Sequence, residues 1–262
     1  MLRKFRKKIR TFNLKVKQIA FGQTASNFEC VICKRPVAGW RPYRSEGGPS
    51  PFIRRLATVG SNAERFACEG CHSNDRERHL MLFFNKLDLW KGLEGKAILH
   101  FAPERHIADA IMTAQPANYV RGDLFPANES IQKINIEAIP YPDAAFDLVI
   151  CNHILEHVSN VEAALAEVRR VLKVGGRFIC QTPYSSKLSR TFEEPALQDT
   201  DDRLFFYGQN DHVRLFGTDI EARLHAAGFA GRLVPHDEIL PQIDPVRWGV
   251  NEREPFFDFV RI

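Results

Sequence analysis

The sequence predicts an α/β domain built on a parallel sheet, and three features near the middle of the chain support this. Phe146 to Cys151 is an apolar run of strand length between a Pro/Asp turn and Asn152, as expected of a strand buried on both faces. A helical stretch follows, closed by Gly175-Gly176. A second apolar strand, Phe178 to Gln181, comes next. Strand, helix and strand in this order form a βαβ unit, which requires parallel pairing.

Two stretches in this unit carry a family resemblance. PYPDAAFDLVICNHILEHV and EVRRVLKVGGRFI resemble the central motifs of class I S-adenosylmethionine-dependent methyltransferases of type 11. The resemblance implies a Rossmann-like, seven-stranded sheet with helices on both faces, spanning residues 96–262. It also implies S-adenosylmethionine as cofactor. We expect a small zinc-binding module and a basic N-terminal helix to precede this domain.

The composition is that of an ordinary globular protein. The chain has 262 residues, of which 44% are hydrophobic and 26% are charged. No apolar run approaches the roughly 20 residues needed to span a bilayer, and the N-terminus lacks the apolar core of a signal peptide. We therefore expect a cytoplasmic protein whose six cysteines are reduced.

Basic charge is concentrated at the N-terminus. The net charge is +4, yet residues 1–17 contain eight Lys and Arg and no acid, so the rest of the chain is acidic overall. Apolar residues recur every three or four positions here: Leu2, Phe5, Ile9, Phe12, Val16 and Ile19. The pattern predicts a basic amphipathic helix over residues 1–21 that contacts an anionic membrane surface. Docking on the protein itself or on a second subunit, and a solvated tail, remain alternatives.

Two CxxC pairs predict a metal site. Cys30 and Cys33 form the first pair, and Cys68 and Cys71 form the second. Four thiolates are the usual ligand set of a closed, structural Zn²⁺ site, which places a zinc module at residues 28–75. The 34 residues between the pairs exceed the usual spacing of about 15–20. Free or redox-active cysteines are the alternative.

A connecting helix and the first strand follow the zinc module. We predict a helix from Asn74 to Leu87, within a connector at residues 76–95, and a strand from Ala97 to Phe101. In the resembled family this strand ends in an acid and a Gly-rich turn that cradles the cofactor. Here His100 replaces the acid, and Ala102-Pro103-Glu104 replaces the glycines. We expect His100, Phe101 and Ala102 to contact the cofactor and Glu104 to accept its ammonium group.

The next segment supplies an acid at a strand end. A helix over residues 105–114 and a strand from Tyr119 to Arg121 lead to Asp123. An acid at this position in a nucleotide-binding sheet accepts hydrogen bonds from the ribose hydroxyls. A turn or helix-capping aspartate is the alternative.

The third strand is predicted at Ile134 to Glu137. The resembled family has an acid facing the adenine amino group here. By this correspondence Asn135 accepts from the amino group and Ile136 stacks on the adenine ring.

The carboxyl end of the Phe146–Cys151 strand carries the candidate catalytic residues. Asn152 is expected to contact the cofactor, and His153 is the first candidate for a general base, because an ordinary imidazole pKa near 6.5 suits proton transfer at neutral pH. His157, one turn later, is the second candidate. Alternatively, these histidines only shape a pocket in which donor and acceptor are aligned.

A long aperiodic segment precedes the last elements. Residues 185–212 lack apolar periodicity and are expected to form a lid or substrate loop. The candidate substrate contacts are Tyr184, Tyr207, His212 and Arg214. A helix capped by Thr218 and ended by Gly228 follows. The last strands are predicted near residues 232–235 and 256–262, which in the family form an antiparallel edge hairpin.

The preferred function is O- or N-methylation of a small molecule or a sugar-like glycan precursor. The CxxC…CxxC…RHL module ahead of LHFAPE resembles bacterial methyltransferases of polysaccharide biosynthesis. An RNA methyltransferase is a second hypothesis, disfavoured because the chain beyond the tail is acidic. A non-catalytic scaffold is a third, consistent with the altered glycine turn.

Overall fold

The computed structural model describes residues 27–43 and 49–262. The predicted basic helix at residues 1–21 lies outside these residues. Within them, no helix is both long enough and apolar enough to cross a membrane.

The N-terminal module consists of short elements around the four cysteines. Strands β1 and β2 form one antiparallel pair and strands β3 and β5 form another. Helix α1 begins after the N-cap residue Ser50, whose side chain accepts from the Ile53 amide. The element bounds are β1 Phe28–Glu29, β2 Pro36–Val37, β3 Trp40–Arg41, α1 Pro51–Arg55, β4 Thr58–Val59 and β5 Ala67–Cys68.

Helix α2, Asp75–Lys86, connects this module to the main sheet, as predicted to within one residue. Its start is fixed by a capping box, in which Asn74 and Glu77 each accept from the other's backbone amide. A 3₁₀ helix, Leu89–Leu93, completes the connection.

The main sheet has seven strands in the order β12-β13-β10-β9-β6-β7-β8. Neighbours from β10 to β8 pair in parallel, whereas β13 is antiparallel to both β10 and β12. This arrangement confirms the Rossmann-like methyltransferase sheet and its antiparallel edge hairpin. The bounds are β6 Ala97–Phe101, β7 Asn118–Asp123, β8 Gln132–Lys133, β9 Phe146–Cys151, β10 Leu172–Ile179, β11 Tyr184–Ser185, β12 Phe229–Val234 and β13 Phe256–Arg261, with β11 outside this sheet.

Helices cover both faces of the sheet because side chains alternate along each strand. Leu148 and Ile150 pack with α2 and with α3, Arg105–Thr113, on one face. Val149, between them, packs with α4, Val161–Val171, on the other. The later helices are α5 Thr200–Tyr207, α6 Ile220–Ala226, α7 His236–Ile239 and α8 Pro245–Trp248.

Two predicted elements are wrong in their bounds. The third strand is Gln132–Lys133 rather than Ile134–Glu137, because the Asn135 side chain accepts from the Glu137 amide and closes a turn. Helix α4 ends at Val171 rather than at Gly175-Gly176, and β10 begins directly after it. The glycines instead occupy a register shift in β10, where a side chain at Gly176 would meet the Lys173 carbonyl oxygen at 2.8 Å.

The aperiodic segment contains more structure than its sequence pattern indicates. Strand β11 pairs with β4 of the N-terminal module. Helix α5 is capped by Asp199, and Tyr207 at its end packs with Ile53 of α1 and with Leu215. The segment therefore holds the N-terminal module against the sheet domain.

Candidate functional site

A cavity of about 440 Å³ opens at the carboxyl ends of β6, β7 and β9, within the size range of small-molecule sites. Parallel strands end at the same edge of a sheet, so residues distant in sequence meet there. Seven predicted site residues line it: Phe101, Ala102, Asp123, Asn135, Ile136, His153 and His157.

The turn after β6 keeps the backbone shape of a glycine turn. Ala102 has φ 41°, in the left-handed region that favours glycine. Its amide donates to the carbonyl oxygen of Gly122 on β7 at 2.8 Å. The small Ala102 side chain thus stands at a cavity wall where the resembled family has glycine.

Three predicted cofactor residues lie beside the cavity rather than on its wall. Glu104 is the N-cap residue of α3, and its carboxylate is 2.7 Å from Nε2 of His100. The Asn152 amide donates to the same carboxylate at 3.1 Å. Burial alone would raise the pKa of Glu104, but the hydrogen bond and charge of His100 outweigh it and the pKa is lowered. His100 thus replaces the usual acid at this position, and its hydrogen bond holds the Glu104 carboxylate beside the turn.

Asp123 and Asn135 both line the cavity. Asp123 ends β7, and one of its oxygens accepts from the Phe125 amide at 2.8 Å. The Asn135 oxygen accepts from the Glu137 amide at 3.0 Å and keeps a second lone pair for another donor. Ile136 is buried and also lines the cavity.

His153 lies between two buried carboxylates. Its Nδ1 is 3.5 Å from Oε1 of Glu156, and its Nε2 is 3.7 Å from Oε1 of Glu254. The backbone of His153 has φ 54°, and the residue also lines the cavity.

Glu254, His79 and Glu77 were not singled out from the sequence. His79 on α2 is 3.5 Å from Glu254 and 2.8 Å from His236. Glu77 accepts from the backbone amide of His106 at 3.2 Å and so caps α3 as well as α2. The N-x-x-E spacing at the start of α2 was the one sequence signal for Glu77; the other contacts are tertiary.

None of the four candidate substrate residues lines the cavity in the described structure. Arg214 is buried and donates to the Leu155 and Val158 carbonyl oxygens. The Tyr207 hydroxyl accepts from the Glu194 amide at 2.9 Å. Tyr184 packs edge-on against Phe257. His212 is buried behind His157, with ring centroids 4.7 Å apart.

The four cysteines of the N-terminal module converge. Sγ of Cys30 is 3.7 Å from that of Cys71, and Sγ of Cys33 is 4.0 Å from that of Cys68. Zn–S bonds of about 2.3 Å in a tetrahedron put sulfurs roughly 3.8 Å apart, so the donor set fits a zinc ion. The Gly70 amide also points at Sγ of Cys68, at 3.3 Å.

Part of the sheet domain is similar to known protein domains. Residues 105–180 match the family model described as "Methyltransferase domain". This part of the α/β domain is therefore similar to methyltransferase domains. The match begins at α3 and ends just beyond β10, so it includes Asp123, Asn135 and His153 but neither the first turn nor the four cysteines of the N-terminal module.

Several curated proteins are similar to about a third of the chain. The "Uncharacterized methyltransferase YcgJ" of Bacillus subtilis (strain 168) is 34% identical over 87 residues, 33% of this chain and 32% of that protein. The "Ubiquinone/menaquinone biosynthesis C-methyltransferase UbiE" of Methylobacterium nodulans is 34% identical over 90 residues, 32% of this chain and 35% of that protein. The chain thus spans about a third of the length of the curated relatives it matches.

Solved structures also resemble the protein. The crystal structure of YcgJ from Bacillus subtilis has a TM-score of 0.41 at 17% identity, covering 68% of this chain and 94% of that one. A putative methyltransferase complexed with the Haloferax volcanii Trm112 activator has a TM-score of 0.45 at 12% identity, covering 71% and 90%.

Proposed function

We propose that the protein transfers a methyl group from S-adenosylmethionine to a small-molecule or glycan-precursor acceptor. The observation that carries the proposal is the cavity at the ends of β6, β7 and β9, which unites Ala102, Asp123 and His153 within a methyltransferase-type domain. When bound, the cofactor supplies an electrophilic methyl group on a sulfonium.

Asp123, Asn135 and Ile136 hold the nucleoside in this proposal. The Asp123 carboxylate accepts from the ribose hydroxyls, as acids at this strand end do in nucleotide-binding sheets. The Asn135 oxygen accepts from the adenine amino group, and Ile136 provides apolar surface for the ring. Support comes from the fact that all three residues line the same cavity.

The methionine part lies toward the first turn. Ala102 and Phe101 allow close approach to the backbone, and the Glu104 carboxylate, held by His100 and Asn152, attracts the ammonium group. The lowered pKa of Glu104 keeps it negatively charged at neutral pH. A charge in this place compensates for the absent acid at the end of β6.

His153 removes the acceptor's proton as the methyl group moves. Heteroatom acceptors such as hydroxyl and amine groups lose a proton on methylation, so a base at the cavity favours O- or N-methylation. Glu156 and Glu254 lie on either side of the ring. His157 is the second candidate for the base.

Partners and the metal module extend the proposal. The acidic balance of the chain beyond residue 17 supports a small acceptor over RNA.

We assign the four cysteines to a structural Zn²⁺, because their geometry fits it and four thiolates leave no open position. We also propose that the basic segment at residues 1–21 contacts an anionic membrane surface from the cytoplasmic side.

Label transfer from S-adenosyl[methyl-³H]methionine to a panel of nucleotide-activated sugars tests the function, with total RNA as the competing acceptor. We expect sugar labelling, and a loss of about 100-fold or more in kcat for His153→Asn with cofactor affinity unchanged. Asparagine suits the positive φ at this position. His225→Asn, an exposed histidine on α6, is the matched control. Labelling of RNA alone, or a fully active His153→Asn, contradicts the proposal.

A further inference from the structure

We propose that Glu156, His157 and His212 bind a divalent transition-metal ion at the wall of the cavity, separate from the four-cysteine site. One ligand atom from each of the three lies within 4.8 Å of the others. No part of the proposed methyl transfer uses this cluster as a metal site.

Both imidazoles point the same ring atom at one carboxylate oxygen. Nε2 of His157 and Nε2 of His212 are each 4.0 Å from Oε1 of Glu156. This is too long for a hydrogen bond. Metal bonds of about 2.0–2.2 Å place neighbouring ligand atoms roughly 3–3.5 Å apart, so a small inward movement of the side chains seats an ion between them.

The outer contacts orient both rings for metal binding. Nδ1 of His212 lies 3.1 Å from the Tyr207 carbonyl oxygen, and Nδ1 of His157 lies 3.3 Å from that of Asp211. A carbonyl oxygen only accepts, so the ring proton sits on Nδ1 and the lone pair remains on Nε2. Metal-binding histidines use this arrangement, and the Thr182 hydroxyl anchors the other Glu156 oxygen at 3.0 Å.

The cluster is buried, and one of its nitrogen atoms has no hydrogen-bond partner among the described residues. The side chains of His212 and Glu156 are 4% and 1% exposed. Nε2 of His212 has no hydrogen-bond partner among the described residues. A buried lone pair without a partner is costly, and a cation between the three side chains satisfies it together with the Glu156 charge.

The ligand set of two imidazoles and one carboxylate indicates which ions this site would bind. This ligand set suits Zn²⁺, Fe²⁺, Co²⁺ or Mn²⁺ rather than Mg²⁺ or Ca²⁺, and three protein ligands leave coordination positions open. His157 and Asp211 line the cavity, so an open position can bind an acceptor oxygen. That last role rests on the proposed methyl transfer; the metal site itself does not.

Metal counting on the full-length, tag-free protein tests the site. Metal content per chain is measured by mass spectrometry after equilibration with Co²⁺ and removal of free ions. We expect two equivalents in the wild type. Thiolate-bound cobalt gives an intense near-ultraviolet charge-transfer band, and we expect the second equivalent to lack it.

Variants separate this site from the cysteine site. His157→Ala and Glu156→Gln are expected to lose one equivalent and keep the thiolate band, whereas His225→Ala keeps both equivalents. His157 is the safest change for folding, since 31% of its side chain is exposed. Co²⁺ should also raise the Tm of the wild type by more than that of His157→Ala, in which only the cysteine site still binds the ion.

One bound equivalent in the wild type, with a thiolate spectrum, overturns the proposal. Two equivalents retained by folded His157→Ala do so as well. Two equivalents in a protein that labels no acceptor leave the metal site standing and count against the methyl transfer alone.

Discussion

Individual side chains near the first turn show how charge is placed in this protein. The usual strand-end acid is absent, and His100 and Glu104 form a buried pair 2.7 Å apart in its place. Asp75, at the start of α2, is another buried acid. One of its oxygens accepts from the Asn62 amide, and the other has no hydrogen-bond partner among the described residues.

Asp75 makes stability depend on pH. Burial raises its pKa from 3.8 to about 7; the Asn62 amide and the charges of Arg76 and Arg78 oppose the rise, and Glu254 adds to it. Between pH 3.8 and about pH 7, Asp75 holds a proton in the folded state but has lost it in the unfolded chain. The free energy of unfolding therefore falls as the pH rises through this range.

We expect Asp75→Asn to remove this fall. The free energy of unfolding of the variant, relative to wild type, should increase by about 2–3 kcal/mol from pH 5 to pH 8, measured by urea denaturation of zinc-replete protein. Asp202→Asn, an exposed change on α5, serves as the control. A difference that does not change with pH refutes the assignment to Asp75.

The location of a functional residue could be predicted from the sequence where it depends only on the residue's position along a strand. Asp123 and His153 follow strands that end at one sheet edge, so their meeting could be predicted. Glu254 comes from a loop about a hundred residues later than His153, and no local pattern links them. Arg214 was predicted to touch substrate because it lies in a charged segment, yet four carbonyl and carboxylate groups bind it inside the protein.

At the scale of elements, one joint links the N-terminal module to the sheet domain. The buried Arg78 guanidinium lies over the Trp40 ring, 4.1 Å from its centroid, and donates to the Ser73 and Gly249 carbonyl oxygens. The Trp40 indole donates to the Val246 carbonyl oxygen at 2.9 Å. The N-terminal module, α2 and α8 therefore meet where Arg78 stacks on Trp40.

Gly249 makes this packing possible. It has φ 62°, and a Cβ there would overlap the Trp40 ring. Gly249→Ala should lower the free energy of unfolding by about 2 kcal/mol or more, measured by urea denaturation, and increase protease cleavage between residues 27 and 71. Gly39→Ala, where a Cβ meets nothing within 4 Å, is the matched control. Equal stability of the two variants would show that the joint tolerates a side chain.

Element bounds could be predicted where apolar periodicity is strong. The bounds of β6 and β9 agree with their predictions residue for residue. Strand β8 was missed because a side-chain hydrogen bond at Asn135 turns the backbone earlier than propensity indicates. Helix α5 was missed because its apolar residues pack on α1, a contact between segments about 150 residues apart.

At the scale of the molecule, the N-terminal module is held from two sides. Strand β4 pairs with β11, and the α1 residue Ile53 packs with Tyr207 and Leu215. The module thus contacts both the aperiodic segment and α8 of the sheet domain. This placement could not be inferred from the sequence, in which the cysteine pairs appear as an independent unit.

Calorimetric titration with S-adenosylhomocysteine tests the central claim, that the cavity at the ends of β6, β7 and β9 holds the cofactor. We expect micromolar binding by the wild type and by Asp202→Asn. We expect at least about tenfold weaker binding by Asp123→Asn, because a ribose hydrogen bond to a charged group is worth about 1.5–3 kcal/mol. Absence of binding by folded, zinc-replete wild type, or equal affinity of Asp123→Asn, would contradict this claim.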